Sequence, residues 1–284
     1  MVQNRLAVLG HPIAHSLSPR LHAAAYGVLG LEWSYEAIDV TEDALAEFVR
    51  SRDATWRGLS LTMPLKREVV PLLDSRDALV NLAGGANTLL FDDTPGSRAL
   101  RGFNTDVFGV REAFTAAGID KLGSVHLLGG GATAASTLIA AGQLGAKRAV
   151  ISVRTPLKAI SLAQLGRSLG MDVTVHALGD DTAELPKGVP DAVISTLPGG
   201  TQVDDELFSD KLRARSVLFD VAYDPWPSAL AERWSQAGGT VISGLEMLLY
   251  QALAQIRIFT AADPATELAD EPLVFQAMRA ASGR

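Results

Sequence analysis

The feature that most restricts this chain lies near its middle, where the apolar run Ser124–Leu128 leads straight into Gly129-Gly130-Gly131-Ala132-Thr133-Ala134 and an alanine-rich stretch ending at Leu144. Gly129, Gly131 and Ala134 fit G-x-G-x-x-G/A, which puts small residues where a strand turns tightly into a helix. A chain with 26 glycines can match such a pattern by accident, so the context carries the reading. A second β-type run, Arg148–Val153, ends about 20–25 residues after the turn. Runs at Asp172–His176, Asp191–Ser195 and Val217–Val221, with a short one at Thr240–Ile242, continue the alternation, which predicts right-handed crossovers of a parallel sheet. Backbone N–H groups at such a helix start can meet a pyrophosphate, so Gly129, Gly130, Gly131, Ala132, Thr133 and Ala134 are candidate dinucleotide contacts. The bland alternative is a turn rich in glycine for packing alone.

Where the second strand ends, an acid would hold the ribose 2′-hydroxyl of NAD. Here the sequence reads Ser152-Val153-Arg154-Thr155, with Lys158 close behind and no acid. A guanidinium attracts the extra phosphate of NADP, so Arg154 favours NADP over NAD unless it is only a solvated loop residue.

The first hundred residues also alternate β-type and amphipathic stretches, the pattern of α/β units. Strands are expected at Arg5–Leu9, Ser34–Val40, Gly58–Thr62, Thr88–Phe91 and Ala99–Gly102, with Asp92–Ser97 at most a hairpin turn. Ser18 followed by Pro19 reads as an N-cap and first turn of a helix, Thr41-Glu42-Asp43 as another helix start, and Pro64 as a third. Helices Val107–Ala117, Leu245–Thr260 and Glu271–Ala281 complete the expectation.

At 284 residues the chain has room for two domains, and 48% hydrophobic residues supply a core. The formal charge of −7, with no basic run, argues against nucleic acid or an anionic membrane as partner. Without cysteine there is no disulfide and no thiolate chemistry, and the cytosol is the expected home. The first residues lack a secretory signal pattern, and no apolar stretch approaches the length of a membrane span. His11, His15, His22, His126 and His176 show no metal-ligand spacing, so no metal is expected and the histidines read as structural. The four tryptophans are too dispersed for an aromatic platform and read as core or interface residues.

Gly10-His11-Pro12-Ile13-Ala14-His15-Ser16-Leu17-Ser18-Pro19-Arg20-Leu21-His22 resembles the opening signature of shikimate dehydrogenases. The resemblance continues in family order through Gly58–Lys66, Gly85-Ala86-Asn87-Thr88, Asn104-Thr105-Asp106, Gly129–Ala134, Val153-Arg154-Thr155, Asp220–Pro225 and Gly244–Ala252, nearly the whole chain. It implies reversible NADPH-dependent reduction of 3-dehydroshikimate to shikimate, on the route to aromatic amino acids. It implies an N-terminal α/β substrate-binding domain, residues 1–106, to which helices in 245–284 return. A Rossmann-like NADP domain, residues 107–244, would follow, with the active site in the cleft between the two. Ser16 and Ser18 would hold the substrate carboxylate. Thr62, Asn87, Asp106 and Gln251 would bind ring hydroxyls with Tyr223 close by, and Lys66 would transfer the proton, with Asp106 as its partner. Gly129–Ala134, Val153–Lys158, Thr196, Val221, Gly244 and Met247 would line the cofactor.

Three departures stand out. Ser60 occupies a position beside the substrate where many relatives have Asn, and its shorter side chain would need a water to reach the same atom. Val153 replaces the Asn that usually precedes the cofactor arginine, and the glycine loop reads Gly-Gly-Gly-Ala rather than Gly-Ala-Gly-Gly. Taken alone, Lys66 is a solvated helix lysine, Asp106 a loop or cap acid, and Ser18 a plain N-cap. A ketone that accepts hydride becomes an alkoxide, which an ammonium stabilises and can protonate. A quinate or dual quinate/shikimate dehydrogenase is the nearest rival, expected to carry Thr at 18 and an acid near 154. A folate-type dehydrogenase of the same plan would lack the paired serines, and a non-catalytic ligand sensor would have no need of Lys66 with Asp106. Monomer and homodimer both stay open.

Overall fold

A computed structural model describes residues 4–94, 97–178 and 188–283. The chain divides into two compact units, Met1–Asp106 with Leu249–Arg284, and Val107–Leu248.

The first unit contains β1 (Arg5–Gly10), α1 (Ser18–Leu29), β2 (Ser34–Asp39), α2 (Leu45–Arg50), β3 (Trp56–Leu61), α3 (Leu65–Glu68), β4 (Ser75–Arg76), α4 (Ala78–Ala83), β5 (Thr88–Thr94) and β6 (Ser97–Phe103). Its sheet has the order β2-β1-β3-β5-β6-β4. β1 runs parallel to β2 and β3, and β5 runs antiparallel to both β3 and β6. Alternate residues of β1, β3 and β5 point into one core, where Leu9, Leu59, Leu89 and Trp56 are buried with Leu65 and Val69 from α3 and its end. The antiparallel pair β5–β6 is a hairpin with Thr94 opposite Ser97; its turn, residues 95–96, lies outside the described residues.

α5 (Asp106–Ala116) carries the chain into the second unit. There follow β7 (Ser124–Leu128), α6 (Ala132–Gln143), β8 (Arg148–Val153), α7 (Ile160–Ser168), β9 (Asp172–Ala177), β10 (Ala192–Ser195), α8 (Asp210–Arg213), β11 (Val217–Asp220), α9 (Ala229–Gln236) and β12 (Val241–Ser243). All six strands are parallel, in the order β9-β8-β7-β10-β11-β12. Counted from the first strand of the unit this is 3-2-1-4-5-6, the doubly wound dinucleotide-binding order. Continuous apolar runs such as Ala149–Ile151 suit strands buried on both faces. α10 (Gly244–Ala261) leads back to the first unit, where α11 (Glu271–Ala281) packs on α1. The Arg257 guanidinium on α10 grips the Glu271 carboxylate at the start of α11.

Two helix starts differ from expectation. Ser18 is the first residue of α1 rather than its N-cap; Leu17 takes the cap position without a side-chain bond, and the Ser16 hydroxyl accepts the Ser18 N–H at 3.3 Å. Thr41 does not open a helix, because its hydroxyl is bonded to Asp43 in a local turn and α2 begins only at Leu45. α4, not anticipated, is a six-residue helix capped by the Asp77 carboxylate, which accepts the Val80 N–H. Trp56 and Trp234 are core residues, as their dispersal suggested.

Candidate active site

Ligand sites of α/β sheets gather where strands end at their carboxyl edge, and the first unit concentrates its polar side chains there. Ser16 and Ser18 follow β1, Thr62 and Lys66 follow β3, Asn87 immediately precedes the antiparallel β5, and Asp106 follows β6. Gly10 lets the ends of β1 and β3 close up, since a Cβ on it would fall 2.5 Å from Thr62 Cγ2. α10 adds Gln251 and, one turn on, Gln255.

Lys66 Nζ donates to Asp106 Oδ2 at 2.6 Å, with the two side chains 14% and 2% exposed. This is a charge-assisted bond in a largely dry setting, not a solvated helix lysine. Asp106 Oδ1 accepts from Asn87 Nδ2 at 2.9 Å, and the same amide donates to Gln251 Oε1 at 2.8 Å. Asn87 Oδ1 accepts the Thr105 backbone N–H at 2.8 Å and the Thr88 hydroxyl at 3.0 Å. Asn87 is therefore buried and engaged at both ends, orienting Asp106 and Gln251. The loop bearing Asp106 is held in turn. The Asn104 amide donates to the Gly85 carbonyl at 2.9 Å, and its oxygen accepts the Asp106 N–H at 3.1 Å. Asp77 accepts the Asn104 N–H at 3.2 Å, and burial pushes its carboxyl above the usual range despite the bonds from Val80 and Asn104.

Ser60 needs no water to find partners. Its hydroxyl accepts from the Tyr35 phenol at 2.7 Å and donates to Gln255 Oε1 at 2.8 Å. Burial pushes the Tyr35 phenol upward, against hydrogen bonds from the Ser60 and Ser18 side chains. His22 stacks on Tyr35 with ring centroids 3.8 Å apart and bonds the Tyr26 hydroxyl at 3.0 Å. Complete burial lowers its imidazole to about 3, opposed by the Gln255 side chain. Sequence reasoning passed over Tyr35 and Gln255. The four-residue spacing of Gln255 from Gln251 was a usable signal, because i and i+4 share a helix face; Tyr35 offered none.

The second unit presents the expected cofactor residues at the carboxyl edge of its own sheet. Gly129 has φ +105°, a conformation open to glycine, and a Cβ there would meet the Thr196 hydroxyl at 2.4 Å. Gly131 is the N-cap of α6 in extended backbone, and nothing lies within 4 Å of where its Cβ would be. That open cradle at a helix N-terminus, flanked by Gly130, Ala132 and Thr133, fits a pyrophosphate. Ala134 is buried beneath it. Arg154, Thr155 and Lys158 are exposed just beyond the carboxyl end of β8. Val153 is buried, its Cγ1 3.1 Å from a Cβ built on Gly130, so it packs under the turn where an Asn would offer a polar contact. Thr196 follows β10, and its hydroxyl donates to the Leu128 carbonyl at 2.9 Å. Val221 and Tyr223 occupy the loop after β11, while Gly244 and Met247 are buried at the start of α10. Beneath that loop Asp220 accepts from the Ser228 hydroxyl at 2.6 Å, and burial raises its carboxyl.

A doubly wound unit with an open glycine cradle, joined in one chain to a mixed sheet ending in a buried lysine–carboxylate pair, defines a dinucleotide-dependent oxidoreductase. Known proteins narrow this class. Residues 8–89 match the family model described as the shikimate dehydrogenase substrate binding domain. The NADP(+) shikimate dehydrogenases of Moorella thermoacetica and Methanothrix thermoacetophila are 33% and 35% identical, each over 98% of this chain and 95% and 97% of their own lengths. Among solved structures, the Mycobacterium tuberculosis shikimate dehydrogenase superposes with a TM-score of 0.80 at 36% identity, covering 98% of this chain and 99% of its own. The shikimate 5-dehydrogenase of Thermus thermophilus, in complex with NADP(H) and shikimate, gives 0.79 at 30% identity, covering 98% of this chain and 100% of its own. The chain belongs to the shikimate dehydrogenase family.

Proposed function

We propose that this protein catalyses the reversible reduction of 3-dehydroshikimate to shikimate with NADPH, a step of aromatic amino-acid biosynthesis. The observation that carries the reading is the Lys66–Asp106 pair, 2.6 Å apart and nearly dry, set among hydroxyls and amides at the carboxyl edge of the first sheet. Ser16 and Ser18 take the substrate carboxylate, Thr62 and Gln251 take ring hydroxyls, and Asn87, engaged at both ends of its amide, orients Asp106 and Gln251. Gly129–Ala134, Arg154, Thr155, Lys158 and Thr196 would hold NADPH, which when bound would supply the hydride. Lys66 Nζ–H gives its proton to the carbonyl oxygen as that oxygen gains negative charge, and the ammonium stabilises the charge before transfer is complete. Asp106 fixes the ammonium and accepts a ring hydroxyl through its second oxygen. In the reverse direction Lys66 takes the proton back.

A cysteine-free chain needs no oxidising compartment, and we place the enzyme in the cytoplasm. Among the described residues no helix is long and apolar enough to cross a membrane. Ser18 and the exposed Arg154 favour shikimate and NADP over quinate and NAD. The test follows nicotinamide reduction with shikimate and with quinate, each against NADP and NAD. Highest kcat/KM with shikimate and NADP is expected; preference for quinate, or no turnover of either acid, would reject the assignment.

A further inference from the structure

The buried polar chain behind the substrate residues has a direction that two backbone groups set. A backbone N–H can only donate, so the Thr105 N–H identifies the Asn87 atom it meets as the oxygen. The other end of Asn87 is then the NH2, and the Gln251 atom 2.8 Å from it must be an acceptor, Oε1. A backbone carbonyl can only accept, so the Asn87 C=O, 3.2 Å from Gln255, identifies that end of Gln255 as Nε2. Gln255 Nε2 also lies 3.4 Å from Gln251 Oε1. The far end of Gln255 is the oxygen that takes the Ser60 proton, and the one proton of Tyr35 fills the Ser60 acceptor. Asn87 Nδ2 has three oxygens within reach for its two hydrogens, Thr105 Oγ1 at 2.9 Å besides Asp106 Oδ1 and Gln251 Oε1. The Thr105 hydroxyl can donate to Asn87 Oδ1 at 3.2 Å instead, which leaves both hydrogens for Asp106 and Gln251. Gln255 is only 1% exposed. The result is that Gln251 turns its oxygen inward, leaving its NH2 without an acceptor among the described residues.

We propose that Tyr35 and Gln255 are positioning residues that act together with Asn87 Nδ2 to hold the Gln251 side-chain amide in one of its two flip states, so that the substrate site offers a donor, not an acceptor, at Gln251. The inference rests on the shikimate reading of this site and adds to it the polarity of the recognition: the ligand group at Gln251 must be an oxygen with a lone pair available. Ser60 in place of Asn belongs to the same device, since the small side chain leaves space for the phenol that directs its proton. His22, stacked on the Tyr35 ring, fixes the phenol in place.

Gln255→Glu tests this, because the shape stays while an ionised carboxylate can no longer donate to the Asn87 carbonyl or Gln251 Oε1. The carboxylate repels Gln251 Oε1 and can accept from its NH2, so the flipped state, which breaks the Asn87 Nδ2 bond, gains population. At pH 8 the KM for shikimate should rise at least about tenfold relative to the parent, the worth of one directed hydrogen bond, while the KM for NADP stays within about twofold. At pH 6 the introduced carboxyl, its protonation favoured by burial, regains an O–H donor, and the KM ratio should recover at least about threefold. Tyr35→Phe keeps the stacked ring, and its smaller KM rise should not add to that of Gln255→Glu in the double variant. A purely structural role would lower the melting temperature without this pH recovery. A shikimate KM ratio that is unchanged, or raised but flat with pH, overturns the proposal alone; a parent enzyme that does not turn over shikimate overturns it together with the functional reading.

Discussion

Replacing Lys66 by Ala tests both the proposed proton transfer and the stability of the buried Lys66–Asp106 pair. The Lys66 ammonium contributes chiefly as the carbonyl oxygen gains charge, so its loss should appear in kcat with KM for shikimate and NADP little changed. Proton transfer by a placed side chain is worth about 10²–10⁴-fold, and stabilisation of the developing oxyanion adds to it, so at least about 10³-fold in kcat should vanish. The structure also predicts a stability cost. Asp106 is 2% exposed in its side chain and would lose the ammonium it is paired with. Breaking a fully buried ion pair from one side costs about 3–5 kcal/mol. Lys66 is 14% exposed, so water can reach the gap, and Asn87 Nδ2 still donates to Oδ1; about 1–3 kcal/mol is the expectation. Adding Asp106→Asn removes the stranded charge and should return part of that stability while leaving kcat as low. The measurements are steady-state kinetics and urea denaturation on both variants. A Lys66→Ala enzyme within about tenfold of the parent kcat would refute the proton-transfer assignment, and a double variant less stable than the single would refute the stranded-charge argument.

The cofactor cradle gives a paired prediction: Gly131→Val should keep the parent melting temperature yet weaken NADP binding at least about tenfold, because its side chain fills space the protein leaves open, whereas Gly129→Val should lower the melting temperature through its φ of +105° and its collision with Thr196. Equal melting temperatures for the two, by calorimetry, would dismiss that contrast. Arg154→Ala should raise KM for NADP by a factor corresponding to about 1.5–3 kcal/mol and leave KM for NAD nearly unchanged; equal losses with both cofactors would assign Arg154 to the pyrophosphate or the fold. Burial holds His22 neutral with its imidazole down at about 3 against 6.5 for the free group. Below about pH 6.5 the unfolded chain therefore binds a proton that the folded one refuses, and stability falls toward about pH 3 at about 1.4 kcal/mol per pH unit. His22→Leu should remove about one proton from that slope when denaturation is followed between about pH 6 and 5; unchanged slopes would show that His22 is not the group responsible.

Much of the architecture was legible because it is written in local pattern. β7 and β8 sit where alternation and the glycine turn placed them, since a buried parallel strand needs an uninterrupted apolar run and the turn after it needs small residues. Helix starts were less legible where hydroxyls had two uses. Ser18 with Pro19 has the composition of a cap, yet the hydroxyl of Ser16 is the one that accepts a helix N–H, and Thr41 spends its hydroxyl on Asp43. The short helix after Asp77 had both a capping acid and Gly84 beyond its end, but six residues carry too little periodicity to separate it from a loop.

At the site, the residues of the matching motifs do converge: Lys66 on Asp106, Asp106 on Asn87, Asn87 on Gln251. What no motif contains is the order in which their protons point. Tyr35 lies on β2, Ser60 on β3, Asn87 before β5 and Gln255 on α10, so the bonds that link them span 25, 168 and 195 positions of sequence. A one-dimensional pattern records which side chains are polar; it does not record which end of an amide meets a backbone N–H. That choice is made by the fold, through the fixed donors and acceptors of the main chain at Thr105 and Asn87, and it passes outward along side chains that each have one consistent arrangement. A departure such as Ser60 then reads differently alone and in place. As a single substitution it removes a polar group from the substrate's surroundings, whereas with Tyr35 donating to it and Gln255 accepting from it, it transmits a direction to Gln251 that an amide free to flip would not keep.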